Sequence, residues 1–402
     1  MSSHSTHIAT IDLIHTTPEP PQESSGLALT RAEPAYGASA TGRPALRHEA
    51  RTQSAQGRPA RGSSLPPSPV WKKLGLTMLI PFFLAAVMGL AYLGAFHQPE
   101  PHNLQVAVVG STPQAKVFAQ TLKDQAGSAL DVRTVPNAAA AKSLIGGREI
   151  AAAYAPGRAT ATLFVSSAAS ETTSGVAEKV FMPIAFAQHL PLQVVDVVPA
   201  GSHDTTGQGF FFLMVALSIG GYASSIPLAG AMGRFRLGTR FGLAAAAGAV
   251  VSTIGVIIAG PLYHVIETNL WGAWLFSWLY VTAIVLMGLG LHPLLRHWTT
   301  PTLTVLFVAL NFTSSGGIFA PTLQPGLFGG LNAFWNGAAW LHGVQTIMYF
   351  QGQNFGWDVL KLALWLVPGI ALMVLTHAWS VRRTRLADEN AAIQEVEETV
   401  AA

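Results

Sequence analysis

Half of the 402 residues are hydrophobic, 11% are charged, and the mean hydropathy is +0.39; a soluble domain carries about 25% charged residues. The formal net charge of +3 is too small to point to nucleic acid, and the basic residues cluster at the ends of apolar runs, where membrane topology explains them. There is no cysteine, which excludes disulfides, Cys-based zinc sites and iron–sulfur clusters.

Residues 1–70 are rich in Ser, Thr, Pro, Ala, Gly and Arg and have few aromatics. Such a composition buries too little apolar surface to offset the entropy of ordering, so a disordered cytoplasmic tail is expected. Trp71, Lys72 and Lys73 then introduce the apolar run Leu74–Phe96. About 20 apolar residues cross a bilayer as a helix. The run begins too far into the sequence, and is too long, for a cleaved signal peptide, so a retained first span over 71–97 is expected. Pro81 would kink this helix, which membranes tolerate.

Residues 98–207 change character. Leu104–Val109 reads as a buried strand, Pro113–Gln125 has helical spacing, and Leu130–Val135 alternates like a strand. A short helix over Ala138–Leu144 ends at Gly146-Gly147. Glu149–Tyr154 and Ala159–Val165 are strand-like. Ala168–His189 reads as a longer helix with a break at Pro183, and Leu192–Val198 as a last strand. This order predicts a small α/β domain, and a chain of about 100 residues can enclose its own core.

The membrane block covers 208–380, with spans predicted at Gly209–Gly230, Phe241–Leu262, Trp271–Leu291, Pro301–Ile318 and Val359–Ser380. Lys72 and Lys73, then Arg234, Arg236 and Arg240, then Arg296, then Arg382, Arg383 and Arg385 flank alternate ends of the spans. The positive-inside rule therefore predicts six spans, both termini cytoplasmic, and an extracytoplasmic 98–207 domain between spans one and two. The segment 319–357, with Pro321, Pro325 and three tryptophans, is too apolar for a free loop and too interrupted for a span. Interfacial or re-entrant helices on the outer face are expected there. Residues 381–402 read as a cytoplasmic tail.

Chemical motifs are sparse. There is no phosphate-binding Gly-x-x-x-x-Gly-Lys loop and no His-Glu-x-x-His helix. Thr313-Ser314-Ser315-Gly316 reads as a small-residue helix end rather than a nucleophile setting served by His264 or His342, and Asn311-Phe312-Thr313 as a chance sequon inside an apolar run. No metal, cofactor or catalytic set is expected. No acidic or basic residue falls at the centre of a predicted span, which argues against a proton-coupled carrier with a buried acidic relay. Two small-residue faces stand out as helix-packing surfaces: Ala216, Gly220 and Ser224 on span two, and Ala244, Gly248 and Ser252 on span three. The second is the candidate helix–helix contact, either within the chain or between copies.

The order of several segments resembles the YhgE/Pip (phage infection protein) branch of the ABC type-2 permease-like membrane proteins, in its actinobacterial form. The residues that carry it are 133–136 (RTVP), 138–144 (AAAAKSL), 151–157 (AAAYAPG), 162–169 (TLFVSSAA), 194–199 (VVDVVP), the 210–222 start of span two, 314–317 (SSGG), Pro321, Pro325, and Tyr349-Phe350. The sequence departs from the pattern at Gln324-Pro325, where Leu-Pro is expected, and in lacking a basic residue near Gln345. The resemblance implies a six-span permease in a bacterial plasma membrane, working as a homodimer or paired heterodimer, with no catalytic residues of its own. Any ATPase would be a separate subunit. Ser315, Gly316, Gly317, Pro321 and Pro325 form the candidate outer-face segment. The alternative is a non-transporting receptor or scaffold whose outer domain binds a cell-envelope partner.

Overall fold

The computed structural model describes residues 68–231 and 235–401. The expected tail, up to residue 67, and Arg234 lie outside these residues. Helix α1 (Ser68–Phe96) is followed by β1 (Leu104–Val109), α2 (Pro113–Ala126), β2 (Leu130–Val135), α3 (Ala138–Gly146), β3 (Ala152–Ala155), β4 (Ala161–Val165), α4 (Ser167–Ala187) and β5 (Leu192–Asp196). The strands form one sheet in the order β2-β1-β3-β4-β5, parallel except for β3 against β4.

Period-two alternation sends β1 side chains to two cores. Val106 and Val108 pack with Leu122 of α2 and with Ala177 and Phe181 of α4. Ala107 faces the other way, with Ala141 and Ile145 of α3. Helices on both faces let the sheet bury both sides. Tyr154 stacks on Phe181 at 5.1 Å and donates its hydroxyl proton to Gln188 Oε1 (2.8 Å).

The break in α4 is not at Pro183. It lies at Ser170 (φ −172°, ψ 110°), where the side chain caps a restarted helix by accepting from Thr173 N (3.3 Å). Serine offers the backbone this local alternative to helical pairing. Pro183 is exposed, as is Lys179 one turn earlier, so water can satisfy the carbonyl that proline leaves unpaired.

Among the described residues, five helices are long and apolar enough to cross a membrane: Trp71–Phe96, Gly209–Ala231, Leu237–Leu262, Leu270–Ser314 and Phe355–Ala401. This is the build of a membrane-embedded helical protein. They comprise α1, α5 (Gly209–Ala231), α6 (Leu237–Ile257) extended by a π-helical turn at Ile258–Leu262, then α7 (Leu270–Leu295), α8 (Thr299–Thr304), a π-turn at Val305–Ala309, α9 (Leu310–Ser314), and the last helix. Arg296, at φ 50°, interrupts the helical run Leu270–Ser314. Two helices precede the last one: α10 (Gly326–Asn332) and α11 (Asn336–Tyr349). The last helix, α12 (Phe355–Ala401), is 47 residues long, about 70 Å at 1.5 Å per residue. It starts before the expected Val359 and does not stop at Ser380.

Helix α7 is the centre of the block, buried along Tyr280–Gly290. Close approach depends on small residues. A Cβ on Gly288 would strike Ser225 of α5, and one on Gly221 would lie 3.2 Å from Ile284 and Val281. A polar knot ties four elements. Asn311 Nδ2 donates to Tyr280 OH (2.8 Å) and Ser218 Oγ (3.2 Å), and its Oδ1 accepts from Gly337 N (3.1 Å). All three side chains are fully buried, which removes Asn311 as a glycosylation acceptor. The π-turn immediately before Asn311 is the kind of helix defect that often marks a functional region. By contrast, most of α1 is exposed; it meets the block through Tyr92 and Phe96 against Phe312 (4.7 and 6.0 Å).

Candidate functional site

The sheet layer rests on the ends of these helices through several tethers. His102 N donates to Thr322 O (2.7 Å), Thr172 Oγ1 to Ile318 O (2.8 Å), and Gly201 N to Tyr349 OH (3.2 Å). Ser202 and His203 both reach Glu267 Oε1 (3.2 and 3.4 Å). The His203 contact, with Ser202 adding to it, holds the Glu267 carboxyl below its ordinary value. Between the two layers lies a cavity of about 240 Å³. One wall comes from the starts of β1 and β3 and the capped turns of α4. The other comes from the segment after α9 and from α11.

Arg148 joins the walls. It follows α3, and Gly147 N returns to Ser143 O (2.8 Å) to close that helix. Arg148 itself takes the left-handed conformation, φ 58°, which costs a non-glycine residue about 1–2 kcal/mol. From there its guanidinium crosses to α11. Nη1 donates to His342 O and Thr346 Oγ1 (both 3.2 Å), and Nη2 donates to Gln345 Oε1 (3.0 Å). The plane lies 3.9 Å from the Phe350 ring centroid, a cation–π contact. Nε is buried and has no partner. Loss of hydration lowers the Arg148 pKa to about 10, against a smaller opposing influence from the Asp358 charge.

Behind this contact, His342 Nδ1 donates to Asp358 Oδ2 (2.8 Å). An ionised carboxylate only accepts, so Nδ1 carries the proton and Nε2 is turned elsewhere. Asp358 is 2% exposed, whereas His342 sits at the rim, exposed. Asp358 occupies the first turn of α12, where the helix dipole favours a negative charge. A buried acid hydrogen-bonded to a histidine is therefore present at a helix end, not at a span centre.

Three of the five residues of the expected outer-face segment line the cavity: Ser315, Gly316 and Pro321. Gly316 needs its φ of 83° for the turn after α9. Gly317 does not line the cavity and packs on Phe211, with no room for a Cβ. Pro325 precedes α10. The segment is not a surface skin: α11 is buried from Asn336 to Leu341, and Trp340 is wholly enclosed. Ser315 and His342 share the cavity, but no hydrogen bond joins them; Ser315 Oγ accepts from Gly317 N (3.3 Å). His264 is elsewhere, its ring tilted against that of His203 with centroids 5.2 Å apart.

The Ala244, Gly248 and Ser252 face lies inside the chain. All three are buried, and Gly248 abuts Thr282 of α7. Of the two contacts expected as alternatives, it makes the one within the chain. On α5, Ala216 is exposed and Gly220 abuts Val251 of α6; the more deeply packed small residues are Gly221 and Ser225. Among the described residues, no cluster of three or more His, Asp or Glu is placed to hold a metal ion.

Arg148, Asp358 and Gln345 escape sequence reasoning. Arg148 belongs to a Gly-Gly-Arg-Glu stretch that reads as an ordinary polar turn, and its partners lie nearly 200 positions away. The one available signal was Asp358, an acid four residues into an apolar helix. No protein-family model, no curated protein and no solved structure matches this chain.

Proposed function

We propose that this chain is a six-span permease-like protein of a bacterial plasma membrane, non-enzymatic in itself, and the transmembrane component of an exporter. ATP hydrolysis then comes from a separate subunit, and the working unit is a pair. The observation that carries this reading is a cavity with charged and polar side chains in its wall, held between the apolar helices and a sheet domain docked on their ends. A solute crossing the block on that side would meet this cavity first.

The run Leu270–Ser314 supports the six-span count. At 45 residues it is about 68 Å long, more than twice the 30 Å hydrocarbon core. Read as two spans that turn at Arg296, it leaves Lys72, Lys73, Arg236, Arg240, Arg296 and Arg382 on one side of the membrane. The sheet domain and Glu267 then fall on the other, as positive-inside placement requires. The permease resemblance adds a coincidence: the basic group missing from α11 near Gln345 is replaced in space by Arg148. Purification from native membranes tests the proposal. A complex containing two permease chains and a nucleotide-hydrolysing subunit supports it; a 42.4 kDa chain that purifies alone and unpaired overturns it.

A receptor or scaffold role is favoured by a separate feature. Met182 and Phe186, one turn apart on α4, are 50% and 82% exposed. Such a pair is an anchor for a cell-envelope partner. Co-purification of an envelope protein that is lost on Phe186→Ser would favour this reading.

A further inference from the structure

We propose that the cavity between the sheet layer and the helices binds a small solute carrying an oxyanion, a carboxylate or a phosphate. This deepens the permease reading, on which the use of the site rests, by naming the class of solute. The first argument is the charge of the wall. Arg148 and His342 line the cavity, and no Asp or Glu does. Asp358 sits behind His342 with one oxygen engaged by Nδ1. The second argument is the set of donors left over. Arg148 places Nη1 and one Nη2 proton on α11, and its second Nη2 proton has no acceptor among the described residues. Ser315 Oγ accepts a backbone proton, and its own proton has no acceptor among the described residues. These are the two kinds of donor that an oxyanion takes.

The opposite wall agrees. Ser170 and Thr173 belong to the turn where α4 restarts, and the positive end of that helix adds to the field. Those hydroxyls give their protons to the chain: Thr173 to Ser170, Ser170 to Thr172, and Thr172 to Ile318 O. The donor-rich side is therefore the Arg148–Ser315 side. The volume, about 240 Å³, leaves room for inorganic phosphate or a short hydroxy acid. Arg148 keeps a left-handed backbone that a glycine would hold more easily, and this places its guanidinium at the cavity. Burial that lowers the pKa of Arg148 leaves a cation that an anion would relieve.

The test uses the purified full chain in detergent. Sodium phosphate and sodium lactate are titrated separately against sodium chloride at equal ionic strength, with thermal unfolding and calorimetry as readouts. A saturable rise in the unfolding midpoint with phosphate alone, lactate alone or both supports the site and says which oxyanion it takes. Ser315→Val removes the hydroxyl without touching the Arg148 tether and should weaken binding at least tenfold, read by calorimetry below the variant's own unfolding midpoint. Arg148→Lys keeps the charge but loses the forked Nη donors and should weaken it similarly. No saturable rise with either anion overturns the assignment, and so does a rise that persists in either variant. Neither result bears on whether an ATPase co-purifies, so failure of the site and failure of the permease reading are told apart.

Discussion

Replacing Gly248 isolates one contact in the membrane block. A Cβ there would stand 2.4 Å from Thr282 Oγ1, 3.1 Å from Thr282 N and 3.3 Å from Thr282 Cα. The first neighbour is a side-chain atom; the other two are backbone and cannot rotate away. Overpacking costs about 1–3 kcal/mol, while replacing a helical glycine by alanine gains about 1 kcal/mol of propensity. Gly248→Ala should therefore lose no more than about 2 kcal/mol. Leucine has nearly the same propensity but drives further carbons against the Thr282 backbone, so the loss should be at least about 2 kcal/mol. At about 2–4 °C per kcal/mol, the Gly248→Leu midpoint falls by about 4–8 °C. Thr282→Ala supplies the control. Thr282 Oγ1 has no hydrogen-bond partner, so its removal leaves nothing unpaired. In the Gly248→Ala background it deletes the nearest clashing atom, and a coupling above about 0.5 kcal/mol is expected. In the leucine background the backbone contact remains and rescue is partial. Thermal unfolding of the purified variants reads all of these values. Strict additivity of Gly248→Ala and Thr282→Ala would refute the reasoning, as would a leucine variant with the wild-type midpoint.

Other outcomes follow from the same geometry. Asn311→Leu deletes its bonds to Tyr280 OH and Ser218 Oγ and one of the two acceptors of Gly337 N, which keeps Asn336 Oδ1, and should cost about 1–3 kcal/mol in a thermal melt; an unchanged midpoint would mean the polar knot carries no stability. Asp358→Leu removes the acceptor of His342 and the charge facing Arg148, and should lower the midpoint further than Asp358→Asn, which keeps a hydrogen-bonding oxygen; equal effects would leave the charge without a role. Fragment 98–200, expressed alone, should unfold cooperatively, because Val106, Val108, Leu163 and Phe181 form a core within it; a soluble fragment with no cooperative transition would show that the helices beneath are needed for folding.

The sheet was legible because its strands are short apolar runs bounded by turn residues. Leu104–Val109 and Leu130–Val135 were expected as strands and are strands. The apolar helices were legible from length alone. What sequence could not supply was the choice between equivalent breakers and between equivalent small faces. Pro183 is tolerated where its freed carbonyl meets water, while Ser170 breaks α4 because its own side chain can cap the restart. Gly221 and Ser225 outrank Ala216 and Ser224 because the side of α5 that meets α7 is set by tertiary packing. The cavity was half legible. Ser315, Gly316 and Pro321 were singled out as a segment, yet the charge that gives it chemistry comes from Arg148, on a turn after α3. No periodicity links that turn to α11.

The central claim is that the sheet domain and the far end of α12 lie on opposite sides of a membrane, and the absence of native cysteine makes it directly measurable. Single cysteines are placed at Gln120, exposed on α2, and at Glu389, exposed on α12. Intact cells are treated with a membrane-impermeant maleimide, then permeabilised and treated again. The account predicts that Gln120→Cys is labelled in intact cells and Glu389→Cys only after permeabilisation. Labelling of Glu389→Cys in intact cells, with Gln120→Cys protected, would contradict it.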